Sequence, residues 1–385
     1  MRINLKISNG LLLGILIVLV NSCVKEINPI LDSKQKNKVV VTALLTDQPG
    51  YQYVDVSWTS SIKKPVPTPI KGCVISLESK NGPLRYYQEY KGKYRIKMDT
   101  NEINLASQYR IHIVLPNYQV VESSWESFFP DPPIERLYYE NESVITRGHY
   151  NSDTAIGCQF FIDFKGNNQD SRFYKYDLTE TYEFHSKQPL EWWYDGVVHH
   201  VVPPDNSKRV CYNTMNIRDV FVLSTDNLSK NEYQRLRLNF VDKFSQRLAH
   251  KYSLLVKQLS ISQRSYTYWN QMKVNKHQEG GLYDNQPISI HGNFKNSTDT
   301  TLDVLGYFDV SKVTQKRIFV NGGYDIIDNS CTKAALRMGL REISSSDYPV
   351  YLDGDDMGYR AILISKACVD CTALGGTTTK PDFWP

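Results

Sequence analysis

No apolar run in this 385-residue chain reaches the length of a membrane helix. The greasiest stretch runs from Leu11 to Val20, whereas a spanning helix needs roughly 20 apolar residues. Charge of one sign is also lacking: 45 basic side chains face 41 acidic ones, with no lysine- or arginine-rich block. That excludes an electrostatic case for nucleic acid or for a polybasic lipid-binding patch. Alanine is sparse, which argues against a helical protein, and no internal repeat is evident. Three catalytic signatures are missing: the phosphate-cradling G-x-x-x-x-G-K-[ST] loop, the H-E-x-x-H pair and the G-x-S-x-G elbow. The chain therefore reads as non-enzymatic, with no catalytic residue, metal set or cofactor assigned.

What is present begins with an export signal. Arg2 and Lys6 precede the apolar run, and Val20-Asn21-Ser22-Cys23 follows it. A basic start, a short apolar core and small residues before a cut are the parts of a secretory signal. Ending on Ser22-Cys23, it resembles a bacterial lipoprotein signal. The resemblance implies cleavage before Cys23, diacylglycerol on its thiol and a fatty-acyl chain on the new amino group. The mature chain then carries 43 basic against 41 acidic side chains, because Arg2 and Lys6 leave with residues 1–22. Residues 23–37, polar and broken by Pro29, read as a tether.

About 360 residues exceed what one hydrophobic core usually serves, so two or more domains are expected. The 26 tyrosines favour strands, since aromatic rings suit a pleated, half-buried surface. Runs such as Lys38 to Leu45, Tyr53 to Trp58, Cys73 to Glu78 and Gln108 to Val114 are short strands separated by turns. Their spacing predicts an Ig-like β-sandwich over 38–130, closed by the stiff linker Pro130-Asp131-Pro132-Pro133. A larger β-rich domain over 134–385 is expected to follow. Its strands include Cys158 to Phe164, Phe173 to Leu178, Val220 to Leu223, Tyr252 to Leu259 and Lys316 to Val320. One helix interrupts them, capped by Ser260 or Ser262. It carries Tyr266, Trp269, Met272 and Lys273 at helical spacing and stops near Gly280-Gly281.

Six cysteines remain after Cys23. In an exported chain, two disulfides are expected among Cys211, Cys331, Cys368 and Cys371, with the pairing open. Cys73 and Cys158 sit in apolar alternating runs as small buried hydrophobes. The spacing of Cys368 and Cys371 also suits a redox or zinc half-site, for which a structural bridge is the simpler reading. His199 and His200 would point to opposite faces if on a strand and read as a solvated loop pair. Asp353-Gly354-Asp355-Asp356 reads as a plain acidic turn. Trp192-Trp193-Tyr194, between Gln188-Pro189 and Asp195-Gly196, sits in a loop-like context. Exposed, these rings would stack on a sugar or anchor a protein. Buried, alternate rings would pack into the second domain.

The tail from Cys368 to Trp384, the Gln258 to Ser262 segment, the Tyr266 to Trp269 helix, Pro287 to Asn293 and Val304 to Phe308 resemble a Bacteroidota lipoprotein family, the domain of unknown function 4249. That resemblance implies an outer-membrane lipoprotein without known activity, a partner of a TonB-dependent transporter as accessory or ligand-capturing protein. A surface glycan-binding module is the alternative. Lys25-Glu26 behind Cys23 partly resembles a surface-export signal in that phylum, implying that the anchored protein faces the cell surface.

Overall fold

The computed structural model describes residues 38–60, 66–147, 152–167, 169–277, 290–323, 331–335, 339–355, 358–363 and 365–385. Cys23 and the segment before it lie outside these residues. So do Gly280 and Gly281, the expected helix stop. The described chain is mostly strand, with one α-helix. No helix among the described residues is long and apolar enough to cross a membrane.

The N-terminal segment forms two facing sheets. One runs in the order Val304–Ser311, Val39–Thr46, Gly50–Trp58, Lys93–Met98, Gln88–Tyr90. The other runs Phe294–Asn296, Val120–Ser123, Gln108–Val114, Val74–Ser79, Arg85–Tyr86. Alternation along each strand points Val39, Val41, Ala43 and Leu45 at Ile75, Leu77, Ile111 and Ile113 in one buried core. Cys73 belongs to that core, and its free thiol is pushed up by burial.

The sandwich is not confined to 38–130. Strands Phe294–Asn296 and Val304–Ser311 return from far along the chain, and the second pairs in parallel with Val39–Thr46. A parallel partner cannot come from a tight hairpin, so the local spacing of strands could not announce it. The close approach depends on Gly306. It has a φ of +103°, and a Cβ there would lie 1.8 Å from the carbonyl oxygen of Val41. Asn293 clasps the same strand: its amide donates to the Phe308 carbonyl (2.9 Å) and accepts from the Phe308 N–H (2.8 Å).

A three-stranded sheet of Ile134–Arg147, Ser152–Lys165 and Glu232–Asp242 follows the linker. It packs on a sheet ordered Val210–Asn216, Phe173–His185, Lys251–Ser260, Val313–Asn321. Phe160, Ile162 and Phe164 from the former meet Tyr174, Tyr176, Tyr252 and Leu254 from the latter. Cys158 is buried here, with its sulfur against the Asn141 side-chain oxygen at 3.7 Å. The linker does not swing free: Gln258 donates to Asp131 (3.0 Å) and to the Pro132 carbonyl (2.7 Å), and Ser260 donates to Asp131 (2.7 Å).

The helix Gln263–His277 begins as expected, with Ser262 Oγ accepting from the Ser265 N–H at 3.1 Å. It bridges the two cores. Tyr266 packs on Phe173, Tyr268 on Tyr307, and Trp269 Nε1 donates to buried Asp309 at 2.8 Å. Ser265 also donates to Asp309. Burial pushes the Asp309 carboxyl above the ordinary aspartate value of 3.8, with Lys175 and its two donors opposing. A raised carboxyl binds more protons folded than unfolded, so its contribution to stability is lost as pH rises through that window. Denaturant titrations of the wild type and Asp309→Asn should therefore diverge above pH 3.8, the wild type losing ground as pH rises. A pH-independent gap would contradict this account.

Candidate functional site

The tryptophan pair lies on a strand, not in a loop. Leu190–Tyr194 and Val198–Asp205 form a hairpin at one end of a five-stranded sheet, continued by Val350–Asp355, Gly358–Leu363 and Lys333–Ala335. The flanking Pro189 and Asp195-Gly196 bound the strand instead of dissolving it. Gly196, at φ +109°, supplies the turn. His199 and His200 are likewise on the second strand, where they fall on opposite faces as alternation requires. Each covers a tryptophan: His200 stacks on Trp192 at 3.6 Å between ring centres and His199 on Trp193 at 3.8 Å.

The two faces differ in what they offer. Tyr194 is buried with Leu340, Val350 and Leu352, and Trp192 is half-buried against them. Trp193 and His199 are half-buried on the opposite face, and the His199 imidazole meets the Asp195 carboxylate at 2.9 Å. That contact holds the Asp195 carboxyl below its ordinary value, with burial opposing. Beside the stacks, the hairpin exposes Val197 (65%) and Val202 (73%). Val197 lies in the turn and Val202 on the sheet-end strand; the Val201-Val202-Pro203-Pro204 run reads as buried strand or loop until its neighbours are known. A cavity of about 690 Å³ opens elsewhere on this sheet, lined by Ile343, Val350, Tyr351, Ile362, Leu363 and Lys366.

The cysteines pair as Cys211–Cys371 and Cys331–Cys368. This answers the redox and zinc readings of Cys368 and Cys371: each thiol is spent on a different partner. Beyond them the tail straps the sheet that holds Phe173–His185. Tyr212 and Thr377 exchange both backbone hydrogen bonds (2.8 and 3.0 Å), and Trp384 packs edge-on against Tyr212 and Phe319. Gly376 has no room for a side chain, since a Cβ would sit 2.5 Å from the Phe184 ring.

Residues 24–317 match the domain of unknown function DUF4249. The chain belongs to the DUF4249 family. No curated protein matches it. Within this DUF4249 chain the helix Gln263–His277 clamps Asp309, and Asn293 and Gly306 close the sandwich, whereas the Cys368 to Trp384 tail lies beyond the matched residues.

Other expected sites carry less. Asp353, Gly354 and Asp355 are strand residues, not a turn, and Asp356 lies outside the described residues. Asp353 is taken by Lys333 at 2.6 Å. Among the described residues, one group brings three metal-type donors together: Glu183, His185 and His250. Burial and the neighbouring His185 hold the His250 imidazole below its ordinary value.

Proposed function

We propose that this DUF4249 protein is a non-enzymatic outer-membrane lipoprotein, facing the cell surface, that serves a TonB-dependent transporter as accessory or ligand-capturing partner. The lipoprotein-type signal ending at Cys23 and the family membership support the setting. The structural observation that carries the contact is the 190–205 hairpin. It ends a sheet, exposes Val197 and Val202, and holds Trp193 rigid under His199. Sheet-end strands offer unpaired backbone groups to a partner strand. Rigid aromatics beside them lose little entropy on binding and dominate interface energies. Confinement to the same membrane raises the effective concentration of such a partner, so a modest contact suffices.

The contact is tested by gentle detergent extraction of native membranes. Wild-type protein should retrieve an outer-membrane transporter, and the combination Val197→Glu, Val202→Glu and Trp193→Ala should lower the yield by about tenfold or more. Wild-type protein that retrieves no transporter ends the reading.

A second reading, a glycan-binding module, draws on a different surface. Tyr51, Tyr53 and Tyr90 are exposed on the sandwich, with the Arg95 guanidinium 4.2 Å over Tyr51 and 3.5 Å over Tyr90. Exposed rings of this kind stack on sugars. Oligosaccharide binding that Tyr53→Ala abolishes would favour it.

A further inference from the structure

The strand Phe173–His185 places Glu183 and His185 on one face by two-residue alternation. His250 immediately precedes the neighbouring strand Lys251–Ser260 and reaches the same spot. Donor atoms of the three side chains lie within 4.8 Å of one another. Glu183 Oε1 is 2.9 Å from His185 Nε2, and the rings of His185 and His250 stack at 3.6 Å. The second carboxylate oxygen of Glu183 is held by Trp384, whose indole N–H donates to Oε2 at 3.2 Å.

We propose that Glu183, His185 and His250 form a binding site for a divalent transition-metal cation of the zinc class. Two imidazoles and one carboxylate suit such borderline ions, whereas magnesium and calcium prefer all-oxygen shells. Tetrahedral bonds of about 2.0–2.2 Å put donors roughly 3.4 Å apart. The group must therefore contract slightly, and the two rings must turn out of their stack. His250 is exposed and free to do so. Three protein donors leave a fourth position open to water or to a ligand.

A simple ion pair between Glu183 and His185 would account for two of these groups only. It gives no role to the second imidazole, nor to an indole that orients the carboxylate from behind. Hydrogen bonds that orient a metal-ligating group are the usual second layer of a metal site. Here that layer is the Trp384 indole, so the strap that carries it would also orient the site.

Calorimetric titration of tag-free, chelator-treated full chain with Zn²⁺ tests this. One equivalent should bind, and Zn²⁺ should raise the melting temperature, as any ligand selective for the folded state does. Either His185→Ala or His250→Ala should weaken binding by about 100-fold, and Trp384→Phe by about tenfold. His250→Ala changes an exposed side chain, and an unaltered metal-free melting temperature will show that it folds. The combination His199→Ala with His200→Ala should leave the affinity unchanged. Absence of stoichiometric Zn²⁺ binding in the wild type overturns the proposal. So does wild-type affinity in His250→Ala, or a loss that follows His199 and His200 instead.

Discussion

Replacing Cys211 and Cys371 together with Ala is expected to cost about 2–5 kcal/mol of unfolding free energy. Replacing Cys331 and Cys368 should cost less. The first bridge joins residues 160 apart and the second residues 37 apart. The longer loop restricts the unfolded chain more, by roughly 1 kcal/mol on the logarithmic loop-length relation. Packing adds to the difference. Cys211 and Cys371 are fully buried against Phe184, and Gly376 presses on the same ring. Cutting this bridge also loosens the strap beyond it, because the Tyr212–Thr377 pairing and the Trp384 contacts lie downstream. Equilibrium denaturation of each double variant, with tail proteolysis followed in parallel, gives the comparison. Equal losses from the two pairs would show that the tail is held by its packing and not by the longer cross-link.

Much of the architecture was legible because it is written locally. Alternating strands such as Gln108–Val114 declare their buried face residue by residue, and Ser262 announces the helix start. The set of bridged cysteines was likewise readable from four late thiols behind an export-type signal. Their pairing was not, because it depends on where residue 211 lies in space relative to the tail. The same limit explains the misplaced boundary of the sandwich. Val304–Ser311 pairs with Val39–Thr46 across most of the chain, and no local pattern records a partner so remote.

The aromatic hairpin shows the limit at the scale of a site. Proline before and glycine after Trp192-Trp193-Tyr194 suggested a loop, but those residues only bracket a strand of five. Once His199 and His200 are set opposite Trp193 and Trp192, each ring already has a partner face. The apolar surface left open belongs to Val197 and Val202. Glu183, His185 and His250 were missed for a similar reason: the two histidines are 65 positions apart in sequence and meet only through adjacent strands.

Cys23→Ser should abolish incorporation of labelled fatty acid and move the protein from the membrane fraction to the soluble one. Lipid attachment is proposed from the signal alone: a short apolar run, then Ser22-Cys23. The expected effect is close to all-or-none. Each buried methylene contributes about 0.8 kcal/mol, so several acyl chains hold a protein far more firmly than the single chain that binds only marginally. Serine keeps the size of the side chain but removes the thiol that would carry the lipid. The described residues begin at Lys38, so the melting temperature of that part and both disulfides should be unchanged in the variant. Transporter retrieval should fall with release, because the gain in effective concentration is lost even though the hairpin is intact. Continued fatty-acid labelling of Cys23→Ser would refute attachment at this residue. Loss of label with undiminished retrieval would instead show that the contact is strong enough to stand without the anchor.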